Sequence, residues 1–322
     1  MIKVLKYQDT DRDAWNAFID NSINGTFLHN RSYMEYHKDR FVDHSLMIYN
    51  DKSDLIAVLP GNKHGDTFFS HQGLTYGGLV HSINLLTPEI VDIFDSICSY
   101  LIEDGFQQFN YKSIPRQYYK CIHDGDHYAL FLKNAVLSRR DVYSVIDLNN
   151  PAVPCYGSQR KRAIKKALKK DLFVIQNKDV GPFYNVLADV LYERHQVRPT
   201  HTADELRYLM NLFPHNICVF ECHENDSILA GVIVYQTDNV VHAQYIANSA
   251  EGQDCGALDF LFDYLIEIFR PTHQYFSFGI SNEDNGRILN RGLINQKEGF
   301  GARSYAHDHY MLKLNNSVMY EK

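Results

Sequence analysis

The chain has 322 residues, 45% of them hydrophobic and 22% charged, and a formal net charge of −7. This length allows two domains of about 150 residues each, and the composition is that of a folded globular protein. The negative balance argues against a general nucleic-acid binder, and no apolar run is long enough to cross a bilayer.

Six cysteines, at 98, 121, 155, 218, 222 and 255, form no C-x-x-C pair. Reduced thiols and a cytoplasmic location are expected. Residues 1–7 lack the apolar stretch that follows the start of a signal peptide.

Residues 1–7 read as a strand, and helical spacing around Trp15, Phe18 and Ile19 follows. A second helix is expected over 32–40. Strands at 44–49 and 55–59 flank a hairpin turn, Asn50 to Asp54. After a short strand at 67–69 and a glycine-bearing stretch from Gly73 to Gly78, apolar residues Ile90, Ile93, Phe94, Ile97 and Leu101 predict a helix over 88–104. A strand at 106–111 and a short helix at 115–119 complete this half.

Residues 142–148 read as a strand, and Asn149-Asn150-Pro151 marks a connection. The expected domains are therefore 1–148 and 149–322. A helix with seven cations between 160 and 170 comes next, with Ala163, Ile164, Ala167 and Leu168 as its buried stripe. Arg160 and Arg162 lie at its start, where a phosphate would be met. Two helices then flank a polar connection containing His195, Thr200 and His201. Thr202 and Glu205 have the spacing of a capping box.

The second half repeats the order of the first. Strands at 217–221 and 229–235 flank a turn, as their counterparts do near residue 52. A strand at 240–247 leads to a stretch of turn formers, residues 248–256. From Leu258 the apolar residues Leu261, Phe262, Leu265 and Phe269 keep helical spacing. A strand at 275–280 and a turn into another helix end the pattern. The fold expected is α/β, in the mixed-sheet α+β sense, built as a tandem internal duplication. A loop entering a helix presents unpaired amides and a positive dipole end, which suits phosphate.

Gln253-x-x-Gly256-Ala257 resembles the pyrophosphate loop of the GNAT acyltransferases, with Leu258 where that pattern has Gly or Ala. The resemblance implies two GNAT-like domains, a coenzyme A thioester as co-substrate, and one working copy, the second. It places Tyr245, Ile246, Ala247, Gln253, Asp254, Cys255, Gly256 and Ala257 against coenzyme A, with Asn285 or Asn290 beside the pantetheine. Candidate catalytic groups are His242, Tyr245 and Glu283, and the ordinary pKa of histidine suits a general base. Arg160, Arg162, His195, Thr200, His201, Gln244 and Ser281 are candidate substrate contacts. His307 and His309 alternate on a strand, but without a third ligand nearby no metal is expected.

Further phrases, among them Thr26-Phe27-Leu28-His29, Tyr76-Gly77-Gly78, Pro199-Thr200-His201-Thr202 and Lys297-Glu298-Gly299-Phe300-Gly301, are similar to the Fem-related branch that acylates nucleotide-linked aminosugars. The branch implies a dTDP-type amino-dideoxysugar as acceptor, in surface polysaccharide synthesis. It implies small-molecule partners and no nucleic acid, and a homodimer is compatible with it. Two other readings stay open: a Fem-type aminoacyl-tRNA-dependent transferase acting on cell-wall peptide, and a non-catalytic binding protein on the same scaffold.

Overall fold

The structure is a computed structural model and describes residues 2–314, apart from the His195 side chain. The chain forms two compact units, residues 1–141 with 306–322, and residues 142–305.

The first unit begins with β1 (Lys3–Lys6), α1 (Arg12–Asn21) and α2 (Arg31–Met34). Short strands follow: β2 (Val42–Asp43), β3 (Leu46–Tyr49), β4 (Leu55–Leu59), β5 (Asn62–His64), β6 (Thr67–Phe69) and β7 (Val80–His81). Next come α3 (Thr87–Glu103), β8 (Gln108–Lys112), α4 (Gly125–Leu132) and the start of β9 (Val136–Asp147). Strands β1, β3, β4 and β7 pair in that order, all antiparallel. Strands β5 and β6 form a hairpin, and β8 lies parallel to β6. The stripe of α3 is buried as its spacing predicts, with Ile90, Ile93, Phe94, Ile97 and Leu101 packed among Leu46, Ile48, Phe68 and Phe109.

The second unit takes the rest of β9, then α5 (Ser158–Ala167), β10 (Leu172–Asn177), α6 (Gly181–His195) and α7 (Ala203–Leu212). Three strands follow, β11 (Ile217–Glu224), β12 (Ser227–Gln236) and β13 (Val240–Asn248). Helices α8 (Ala250–Cys255) and α9 (Ala257–Phe269) come next. They are followed by β14 (Tyr275–Ile280), β15 (Asn282–Glu283), β16 (Ile288–Leu289), α10 (Arg291–Glu298) and β17 (Arg303–Lys313). The sheet order is β10-β11-β12-β13-β14-β9, and β13–β14 is its parallel pair. All five periodic residues of α9 are buried, and Phe262 meets Phe278 of β14 edge-on at 4.9 Å.

The expected mixed α/β fold and two-domain plan are present. In each unit a helix-containing crossover joins two parallel strands, β6 to β8 and β13 to β14. The strand beside the second member comes from a distant part of the chain, β17 next to β8 and β9 next to β14.

Three local expectations need correcting. The turn formers at 248–256 do not make an open loop, because residues 250–255 form α8. Leu168 is 66% exposed, because α5 ends at Ala167 and the chain turns away. The strand β10 and the helix α4 were not anticipated, the former because its burial does not alternate cleanly.

Candidate functional site

The second unit carries a break in its sheet. Against β12, Ala243 faces Val234 and Tyr245 faces Ile233, which leaves Gln244 as an extra, bulged residue. Against β14, the register is Val240 with Tyr275, Val241 with Phe276 and His242 with Ser277, and it stops there. Beyond His242, β13 continues to Asn248 without a registered β14 neighbour. A bulge bends a strand and re-aims its side chains. Here it marks where two parallel strands part and leave a wedge with a strand edge along it.

Tyr245, just past the bulge, is held by the 200–201 loop. Its hydroxyl lies 2.5 Å from His201 Nδ1 and accepts the His201 amide at 3.3 Å. Tyr184 holds the loop in turn by donating to the His201 carbonyl at 3.2 Å. The capping box of α7 forms as predicted, Glu205 N–H to Thr202 Oγ1 and Thr202 N–H to Glu205 Oε2. Burial raises the Tyr245 pKa above its ordinary value, while bonds from the His201 amide and the Thr200 side chain pull it the other way. The phenol therefore keeps its proton at neutral pH and remains a donor. Of the sequence candidates, Tyr245, Thr200 and His201 are brought together.

His242 sits at the last registered pair, 7% exposed, its Nδ1 3.1 Å from Ser277 Oγ. Burial, and after it the Lys297 ammonium, push the ring down to about 4. The expectation of a base near pKa 6.5 is corrected on this point. Gly279 has a φ of +73°, and a Cβ there would lie 3.2 Å from His242 Cε1, so the ring and the left-handed backbone both require glycine.

The structure adds a residue that the sequence reading missed. Lys297 of α10 is 5% exposed and donates to the carbonyls of Gly279 at 3.3 Å and Ile280 at 2.5 Å. Burial pushes its pKa down to about 7. A signal was present, because Ile294 and Lys297 stand three apart on one helix face and both are buried.

The predicted phosphate junction is occupied by protein. The Gly256 amide donates to the Gly252 carbonyl and ends α8. Gly256 has φ +85°, and a Cβ there would lie 2.7 Å from the Ala163 carbonyl of α5. Arg160 of α5 donates to Asp259, in the first turn of α9, at 2.6 Å, and both side chains are nearly buried. That carboxylate already answers the positive end of α9. The amide expected to meet diphosphate at Gly256 is thus taken, and Arg160 docks α5 instead of reaching a ligand.

The remaining candidates are dispersed. Gln253 is exposed and turns its amide back to the Asn248 and Ser249 carbonyls. The Asp254 carbonyl accepts Lys166, and Cys255 and Ala257 are buried in the core. Ile246 and Ala247 continue β13. Gln244 Oε1 is buried without a partner in the structure. Ser281 is buried against Ser144, 2.9 Å between hydroxyls. Asn290 caps α10 and donates to the exposed Glu283 at 2.8 Å, while Asn285 and Arg162 are exposed. His195 ends α6, and its side chain lies outside the described residues.

In the first unit, the reason for excluding a metal does not hold. Asp141, from β9, joins His307 and His309, with one potential ligand atom from each within 4.8 Å of the others.

No family model matches the chain, and no curated protein matches it. Solved structures do. FemX is 10% identical, with 98% of each chain covered and a TM-score of 0.70. L-PGS from Bacillus licheniformis is 12% identical, covering 97% of this chain and 93% of its own, at 0.60. A tandem GNAT protein from the clavulanic acid biosynthesis pathway is 7% identical over 98% and 99%, at 0.52. At such identities the likeness is one of fold, and the fold is GNAT/Fem-like. No helix among the described residues is long and apolar enough to cross a membrane.

Proposed function

We propose that this protein is an N-acyltransferase whose reaction takes place in the wedge between β13 and β14. One observation carries the reading: the parallel strands part directly after His242 and Ser277, at a bulge, with a protonated Tyr245 fixed beside the opening. An acyl carbonyl laid along the free edge of β13 meets backbone donors there, which stabilise charge as it develops on the oxygen. The acceptor amine attacks the carbonyl carbon, a C–N bond forms and the C–S bond of a thioester breaks. Tyr245 gives its proton to the departing thiolate. Lys297, at about 7, suits removal of the amine proton better than His242, at about 4.

Acyl-coenzyme A is proposed as donor, and a dTDP-type amino-dideoxysugar for surface polysaccharide as acceptor. The resemblance at Gln253 to Ala257 supports the donor, and the similar phrases along the chain support the acceptor. This reading seats the diphosphate away from the Gly256 amide. The second segment, 149–322, is proposed as the working copy of the duplication, and 1–148 as the copy without cofactor.

A second reading, a Fem-type aminoacyl-tRNA-dependent transferase, is favoured by a specific observation. The Gly256 amide is taken, while α5 and the turn after it leave Lys161, Arg162, Lys165, Lys166, Lys169 and Lys170 exposed, a cationic surface of the kind that meets a polyanion.

A thermal-shift series with acetyl-coenzyme A, dTDP-aminosugars and tRNA separates the two, followed by a thiol-release assay. Stabilisation by the thioester and release of thiol only with an aminosugar support the first reading. Salt-sensitive tRNA binding with no response to the thioester replaces it by the second. In the thiol-release assay Tyr245→Phe lowers kcat by roughly 10²-fold or more, with the Tm kept. An unchanged kcat removes Tyr245 from the chemistry.

A further inference from the structure

We propose that Asp141, His307 and His309 form a zinc-binding site in the first unit. Residues two apart on a strand share a face, so His307 and His309 present their rings together, with centroids 4.8 Å apart. Asp141 brings its carboxylate to the same place, Oδ2 3.3 Å from His309 Nε2. Two imidazoles and one carboxylate are a donor set that zinc takes, at bonds of about 2.0–2.2 Å. Ligand atoms around such an ion stand about 3.3 Å apart. One edge of the set already has that length, and the other separations, all within 4.8 Å, close towards it.

The partners behind these ligands are those a metal site requires. His307 Nε2 lies 2.8 Å from the Ser113 carbonyl, which can only accept, so Nε2 carries the proton and the lone pair lies on Nδ1. A ligating histidine commonly gives its other N–H to a backbone carbonyl in this way. Asp141 is buried and held by Arg139 Nε, at 2.9 Å to each oxygen. That guanidinium orients the carboxylate and stays on Oδ1 when Oδ2 binds the ion.

Two cations face the cluster. Arg139 is one, and Lys112 is the other, but its ammonium points to the carbonyls of Leu74 at 2.7 Å and His71 at 3.5 Å. The partly exposed His309 ring, at 18%, gives the ion its entry. Three protein ligands leave a fourth position for water.

The test is calorimetric titration of the chelator-treated full chain with Zn²⁺, after alkylation of the exposed thiols of Cys121 and Cys155. One ion per chain is expected. His309→Gln and His307→Gln should each abolish saturable binding while the circular dichroism spectrum is kept. If His307→Gln does not fold, His309→Gln decides alone, because its ring is the more exposed. No saturable binding to the unsubstituted chain, or binding that survives His309→Gln, overturns the proposal.

Discussion

Lys297 shows how one side chain can be decided by its surroundings. Its amine is buried against two carbonyls, and desolvation disfavours the ammonium, so the folded pKa falls to about 7 from an ordinary 10.5. Between those values the unfolded chain binds more protons than the folded one, so this group makes stability rise with pH from about 7 towards 10.5. Below about 7 its full cost is present. Lys297→Met should remove that slope. Urea unfolding of both proteins at pH 7 and pH 9.5 checks this. A difference between them that is the same at both pH values would mean that the amine keeps an ordinary pKa. His242 follows the same logic, because a strand histidine reads as a base only until its burial is known.

The helix α5 was legible as an element but not in its task. Its cations suggested a phosphate contact, yet Arg160 spends its charge on Asp259 and the backbone of Ala163 covers Gly256. Burial raises the Asp259 pKa despite the guanidinium beside it, so the pair is costly to desolvate. Removing either partner alone, Arg160→Met or Asp259→Leu, should cost about 3–5 kcal/mol, and the double substitution much less. A double-mutant cycle in guanidinium tests this, and strict additivity would refute the coupling. Gly256→Ala should cost about 2 kcal/mol or more, since it meets both a left-handed backbone and the Ala163 carbonyl. A Tm unchanged by that substitution would show that α5 moves aside. In the stretch before Gly256, the turn formers Ser249 and Gly256 cap the two ends of α8, so a local preference for turns and a short helix share the same residues.

Across the molecule, histidines buried as neutral rings set the response to acid. His29, His71 and His307 of the first unit are lowered to about 3, with burial as the leading cause in each, and His242 of the second to about 4. An unfolded histidine takes a proton near 6.5, so each ring withdraws stability as pH falls from there towards its folded value. The first unit, with three such rings against one among the described residues, should open first as pH falls from 6.5 to 4.5. Hydrogen exchange resolved by segment measures it, and earlier opening of residues 142–305 would contradict it.

The sequence by itself determined what depends on near neighbours: the stripes of α3 and α9, the cap of α7, the hairpins and the repeated order of elements. Tyr245, Thr200 and His201 were legible as candidates because they fall on a strand end and a polar loop. Contacts between distant residues decided the rest. The places of β9 beside β14 and β17 beside β8 are set by pairing over more than a hundred residues, which no local period records. Burial, which gave Lys297 and His242 their proton affinities and brought Asp141 to two histidines, is a property of the packed chain and has no signature in any short stretch of it.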